Sequence, residues 1–327
     1  APVLLLAGWY DPFLQTQLDD FKVLHSHADA SVSKQSRLII GPWGHAKNVF
    51  FPDGSSTENF RFVSIASSFD WFDRHLKGRK VVQTPPVRIF VMGDNRWRDE
   101  QTWPLPRAVN TKLFLQSDGH AADPSGDGQL LLEAPFDTHT PDVFTYNPLN
   151  PVPTRGGAFM GPGMAIKQQN TIELRPDVLS YTSSPLAENV EVTGYVRATL
   201  VVSTNAPSTD FTAKLVDVYP DGSAYNIADG ILRQTYDVGD QRVSIVIQLG
   251  ATSNVFQKGH RIRLDVSSSN FPLFDRNPNT GTPIAFETRA VASLQKIHHD
   301  ASAPSFVELP IVPVKNGAQL IRFRVDE

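Results

Sequence analysis

With 327 residues, 40% of them hydrophobic and 20% charged, the chain has the makeup of an ordinary globular protein, long enough for two domains and a sizeable core. A net charge of −4 with no Lys/Arg cluster argues against a nucleic-acid or anionic-membrane partner, and no apolar run reaches the length of a bilayer span. The absence of cysteine excludes a thiol nucleophile, disulfides and thiolate metal sites; it fits a reducing compartment, and a cytoplasmic location is the expectation.

Pro2-Val3-Leu4-Leu5-Leu6-Ala7 reads as a strand buried on both faces, the pattern of a parallel sheet centre. It has no basic flank and no A-x-A cleavage site, so it is not a signal peptide. A chain seldom starts at the middle of its own sheet, and an upstream portion is therefore expected. Gly8-Trp9-Tyr10-Asp11 closes this strand, Pro12 suits a first helical turn, and Leu14, Leu18, Phe21, Leu24 and Ala28 recur at helical spacing. A second strand, Arg37-Leu38-Ile39-Ile40, is closed by Gly41-Pro42-Trp43-Gly44-His45. Phe62, Ile65, Phe69, Phe72 and Leu76 then step by three and four towards Gly78, a residue suited to the position just past a helix. This strand–helix alternation predicts an α/β layer with parallel strands.

One more strand, Val87-Arg88-Ile89-Phe90-Val91-Met92, precedes the proline-rich Trp103-Pro104-Leu105-Pro106, where we place a domain boundary. Residues 1–106 form the α/β part and residues 107–327 a β domain. The second part carries no long helical pattern. It has strand runs at 113–115, 196–202, 213–218, 243–247 and 261–266, with a hairpin signal at Pro220-Asp221-Gly222. Such a series predicts a β-sandwich, and its size suits a jelly roll.

Asp11 and His45 each stand just past a strand end, in that chain order. Loops at the carboxyl ends of neighbouring parallel strands converge on one crevice. An acid followed by a histidine is the second half of the Ser…Asp…His order of strand-end hydrolases. Taken singly, Asp11 is explained as a helix cap and His45 as a solvated loop residue; taken together, placement and order favour catalysis. A search for G-x-S-x-G finds none, and Gly54-Ser55 and Gly222-Ser223 lack its flanking residues.

The two peptides Gly8-Trp9-Tyr10-Asp11 and Gly41-Pro42-Trp43-Gly44-His45 closely resemble the acid and histidine motifs of the cocaine esterase/X-Pro dipeptidyl-peptidase hydrolases, the CocE/NonD family. The likeness continues through residues 87–93 and 97–100. It recurs in Asn147-Pro148-Leu149-Asn150-Pro151-Val152-Pro153-Thr154, Arg175-Pro176-Asp177-Val178-Leu179 and Ser268-Ser269-Asn270-Phe271-Pro272. The resemblance implies the C-terminal part of an α/β-hydrolase domain followed by a jelly roll. It also implies a serine nucleophile, with Asp11 as orienting acid and His45 as general base, acting on a small-molecule ester or amide. The family's nucleophile elbow, oxyanion hole and helical cap have no counterpart in these residues. A complementary N-terminal segment carrying the serine is therefore the expected partner. In relatives, apolar groups near the positions of Phe13 and Phe159 line the acyl pocket, which nominates both as substrate contacts. The rival activities within the family are an X-Pro dipeptidyl-peptidase and an α-amino-acid ester hydrolase. A carbohydrate- or protein-binding jelly roll without catalysis is the reading of another class, and it leaves the Asp11/His45 placement unexplained.

No cofactor or metal is expected. Asp275-Arg276-Asn277-Pro278-Asn279 carries alternating oxygen ligands but has Thr280 where a calcium loop needs glycine, so an Asx turn is the better reading. His25 with His27, and His298-His299, lack partners at metal spacing.

Overall fold

The computed structural model describes residues 1–27, 29–45, 49–56, 60–79, 84–123, 125–236, 241–313 and 320–324. Ala28 lies outside them. The chain opens with β1 (Leu4–Tyr10), α1 (Leu14–His27), the short α2 (Ala30–Ser33), β2 (Arg37–Gly44), α3 (Phe60–Lys77), β3 (Val87–Val91) and β4 (Arg96–Glu100). These strands form one sheet in sequence order: β1 is parallel to β2, β2 to β3, and β4 returns antiparallel. Helical crossovers between parallel neighbours are what this arrangement requires. α1 buries Leu14, Leu18 and Phe21.

Two glycines in the first strands are there for want of space. A Cβ on Gly8 would overlap the Trp43 carbonyl, and one on Gly41 would overlap the Trp43 ring, which is wholly buried. The neighbour at Gly8 is backbone and cannot swing away. Gly8→Ala therefore lowers stability by about 3 kcal/mol, read as a fall in the urea midpoint at unchanged slope.

β1 departs from the sequence expectation. Leu4, Leu5 and Leu6 are only partly buried, and full burial begins at Ala7. The reason is position: β1 is the outer strand of its sheet among the described residues, with β2 on one side only. The face of α3 is barer still. Phe62, Ile65, Phe69, Phe72 and Leu76 are 52–77% exposed, so the regular apolar stripe points away from the rest of the described chain.

After the proline-rich stretch the chain enters a β-sandwich. Its strands are β5 (Val109–Gln116), β6 (Gln129–Leu131), β7 (Asp142–Tyr146), then, past α4 (Asn170–Glu173), β8 (Leu179–Thr182), β9 (Val190–Thr204), β10 (Ser208–Val218), β11 (Ala224–Thr235), β12 (Val243–Phe256), β13 (Arg261–Ser267), β14 (Ser293–His298) and β15 (Phe306–Val312). They hydrogen-bond in the order β11-β10-β13-β8-β6-β5-β15-β9-β14-β7, with β12 also paired to β9. Period-two alternation builds the core: Val196, Ala198, Leu200 and Val202 of β9 are fully buried, while the residues between them are half-buried. Pro220-Asp221-Gly222 turns β10 into β11, with Gly222 at φ 86°. Asn277 forms the expected Asx turn, its side-chain oxygen accepting from Asn279 N at 2.9 Å.

Three contacts fix the sheet to the sandwich. Met92 exchanges backbone hydrogen bonds with Ser253 and Val255 (3.0 and 2.8 Å). Arg98 forks onto Glu191 of β9 at 2.6 and 2.7 Å. Glu100 accepts from both Arg98 and Arg107. Burial alone raises the Glu100 carboxyl, but the two guanidinium groups more than offset it and hold it below the usual range. Among the described residues no helix is long and apolar enough to cross a membrane.

Candidate active site

The register of the first sheet builds the site. Gly8 pairs with Gly41 and Tyr10 with Gly44, so Asp11 and His45 are each the next residue past a matched pair. Trp9 anchors its strand end by donating its indole N–H to the Phe90 carbonyl at 2.7 Å. His45 Nδ1 lies 3.2 Å from Asp11 Oδ2. Asp11 Oδ1 accepts from the Phe13 backbone N–H at 2.9 Å, and the Asp11 carbonyl accepts from Leu14 N at 3.0 Å. One carboxylate thus serves both the first turn leading into α1, through Oδ1, and the imidazole, through Oδ2, so a capping role for Asp11 does not compete with its contact to His45.

The Asp11 side chain is 10% exposed and His45 46%, which leaves the acid shielded and the ring open. Nδ1 is engaged, and no described residue hydrogen-bonds Nε2. Phe13, 48% exposed, sets its ring edge-on to the imidazole with centroids 5.3 Å apart. The structure therefore brings Asp11, Phe13 and His45 into contact. Phe159 has a different environment: it is partly buried against the cluster shared by the sheet and the sandwich, which includes Trp9, Tyr10 and Met164.

Beside Asp11 runs a cleft of about 990 Å³ between α1 and the sandwich, walled by Tyr10, Gln15, Ala158, Tyr195 and Leu249 among others. Asp229 of β11 is the other carboxylate in this wall. It accepts from Asn270 Nδ2 at 2.8 Å and pairs across the strands with Lys214. Burial pushes its carboxyl up, with Lys214 and Asn270 acting the other way. Burial, and then the charge of Asp229, push the Tyr10 phenol up as well. Sequence reading missed Asp229; the signal available was a lone acid in the otherwise apolar run Ile227-Ala228-Asp229-Gly230-Ile231-Leu232.

A second Ser/His/Asp group, Ser117, His299 and Asp142, shows by contrast what the Asp11 site offers. There Ser117, Tyr181 and His299 all converge on Asp142 Oδ2 (2.6, 2.7 and 3.0 Å), and His299 and Asp142 are fully buried. Burial works to raise the Asp142 carboxyl, but the hydrogen bonds prevail and hold it low. The serine donates to the acid and the ring has no access to solvent, so this trio braces the sandwich. Among the described residues no group of three or more His/Asp/Glu is placed to hold a metal.

Residues 79–308 match the family model of the X-Pro dipeptidyl-peptidase C-terminal non-catalytic domain. Over 95% of its length the chain is 40% identical to the cocaine esterase of Rhodococcus sp. (strain MB1 Bresler), of which it covers 56%. An aminopeptidase from a marine-sediment Thaumarchaeota archaeon superposes with a TM-score of 0.83 at 26% identity, over 96% of this chain and 55% of that one. An α-amino acid ester hydrolase shares the fold (TM-score 0.79, 23% identity), over 95% of this chain and 55% of that one. The chain spans about half the length of the curated relatives it matches. Taken with the strand-end acid and histidine, these matches mean that the chain belongs to the cocaine esterase/X-Pro dipeptidyl-peptidase (CocE/NonD) family of hydrolases.

Proposed function

We propose that this chain supplies the acid and base of a serine hydrolase that cleaves carboxylic esters through an acyl-enzyme, with the serine on a complementary segment. The observation that carries the proposal is the Nδ1–Oδ2 contact between His45 and Asp11 at 3.2 Å, one step past a matched register pair. In this reading residues 1–106 are the C-terminal part of an α/β-hydrolase domain and the sandwich is a jelly roll. His45 Nε2 takes the serine hydroxyl proton as the oxygen attacks the ester carbonyl, then returns it to the departing alkoxide. Water repeats the transfer and releases the acid. Asp11 stays ionised, holds the tautomer with its proton on Nδ1, and stabilises the transient imidazolium. Phe13, edge-on to His45, forms a wall for the acyl group, and Phe159, packed beside Trp9, Tyr10 and Met164, is the second candidate for that wall.

Two exposed features support the complementary segment: the outer edge of β1 at Leu4–Leu6 and the bare stripe of α3. An open parallel edge beside an uncovered helix face is the surface that a continuing α/β layer buries. The test is hydrolysis of p-nitrophenyl esters by the assembled protein. Turnover that requires both His45 and a fluorophosphonate-reactive serine on the other segment supports the proposal; turnover that survives loss of either overturns it.

Asp229 favours a second reading, an amino-bearing substrate of the X-Pro or α-amino-acid ester kind, because it sets a carboxylate in the cleft that also carries Asp11. If that reading holds, Asp229→Asn raises KM for an α-amino ester about tenfold while leaving the matched des-amino ester unchanged. Equal effects on both esters, or none, leave the simple esterase reading.

A further inference from the structure

We propose that the groove at the far end of β13 binds an oxyanion-bearing ligand, a phosphate or its organic ester. The groove encloses about 590 Å³, a size usual for small-molecule sites, and Arg261, Arg263 and Arg324 line it. Arg261 and Arg263 stand two apart on β13, so their side chains leave the same face of the strand.

The three guanidinium groups are not equivalent. Arg263 is 8% exposed and fixed: it pairs with the buried Glu173 at 2.6 Å and donates from Nε to Thr182 Oγ1 at 2.8 Å. Glu173 is the acid in the groove wall; Oε2 pairs with Arg263, which also faces the buried Asp265, while Oε1 is buried without a hydrogen-bond partner among the described residues. Arg261 donates one N–H to the Ser183 carbonyl at 3.0 Å, and neither Arg261 nor Arg324 meets an acidic side chain among the described residues. Two guanidinium groups without an acidic partner among the described residues thus share a concave wall on a chain whose net charge is −4.

Like charges in a groove repel, and an anion between them turns that repulsion into charge-assisted hydrogen bonds. Arginine forks suit phosphate oxygens better than lysine point charges do. The rest of the wall supplies a floor for an organic body: Tyr219, whose ring lies 4.2 Å from that of His260, with Leu174, Pro185 and Pro220 around it. Asn170 is locked by its bonds to Gly222 and Ala224, which keeps the rim in shape. None of these residues walls the cleft at Asp11, so the site is separate from the one assigned to hydrolysis.

The experiment is calorimetric titration of the assembled protein with inorganic phosphate, phenyl phosphate and benzyl alcohol, repeated with Arg261→Gln/Arg324→Gln. Both arginines are exposed, so the variant keeps the fold, checked by an unchanged melting curve without ligand; Arg324→Gln alone is the second variant if the pair melts early. Expected is binding of both phosphates, weakened about tenfold for each guanidinium removed and weakened again by added salt, with no binding of benzyl alcohol. Tighter binding of phenyl phosphate makes the ligand a phosphate ester; equal binding makes it free phosphate. Failure of both phosphates to bind at about 10 mM, a range in which even millimolar affinity registers, overturns the proposal. Affinity unchanged in the variants, or benzyl alcohol bound as well as phenyl phosphate, overturns it too.

Discussion

His45→Ala in the assembled enzyme lowers kcat by about 10⁴- to 10⁶-fold and leaves the melting temperature nearly unchanged. The two halves of this expectation rest on different observations. The catalytic loss follows from the proposed mechanism, in which the imidazole is the base that frees the serine hydroxyl. The stability half follows from exposure: His45 is nearly half exposed, held by Asp11 at Nδ1 and by the edge of the Phe13 ring. Asp11→Asn sharpens the test. Asparagine still caps α1 through its side-chain oxygen, so the helix survives, but an amide facing Nδ1 no longer enforces the productive tautomer, and kcat falls about 10⁴-fold. The check is pre-steady-state acylation of a p-nitrophenyl ester together with thermal melts of all three proteins. Turnover within tenfold of the parent in His45→Ala would falsify the catalytic assignment.

Phe69→Glu/Phe72→Glu on α3 weakens assembly with the proposed complementary segment by about a thousandfold or more while making the chain alone more soluble. Both rings are more than half exposed, so their loss removes nothing from the chain's own core. Glutamate is a good helix former, and α3 keeps its length. In the assembled protein each ring is expected to bury enough surface to be worth about 2 kcal/mol, so the pair contributes about 4 kcal/mol, near a thousandfold in affinity. Charges forced into that interface add to the loss. Sedimentation of the mixed segments, with recovered esterase activity as a second readout, measures both effects. Assembly of the variant at parental affinity would show that the stripe is ordinary surface and that the complementary segment docks elsewhere.

The site was legible where its signals are local. Asp11 and His45 follow strand ends that hydrophobic runs and glycine breakers mark within ten residues of each. The stripe of α3 was equally plain as a period, but a period says that a face is apolar and not what covers it. Phe13 and Phe159 look alike as aromatic residues in loops; only the three-dimensional path separates a ring set against the imidazole from one partly buried between sheet and sandwich. Asp229 was invisible because its meaning comes from Lys214 across the strand pair and from the cleft between α1 and the sandwich, both remote in sequence. The burial expected of Leu4–Leu6 failed for a related reason: an apolar run reports what a strand is suited to, and its neighbour decides what it meets.

The matched pair Tyr10–Gly44 has a consequence for how this protein tolerates change. The juxtaposition of acid and histidine is inherited from the Tyr10–Gly44 pair, which follows a register shift after Gly8–Gly41, and the 34-residue separation between them plays no part in setting it. The exposed positions of the crossover are therefore free to vary, whereas its buried Leu14, Leu18 and Phe21 are not, and a residue inserted at either strand end moves the imidazole away from its carboxylate. Natural variation and engineered grafts alike belong on the solvent-facing side of the crossover.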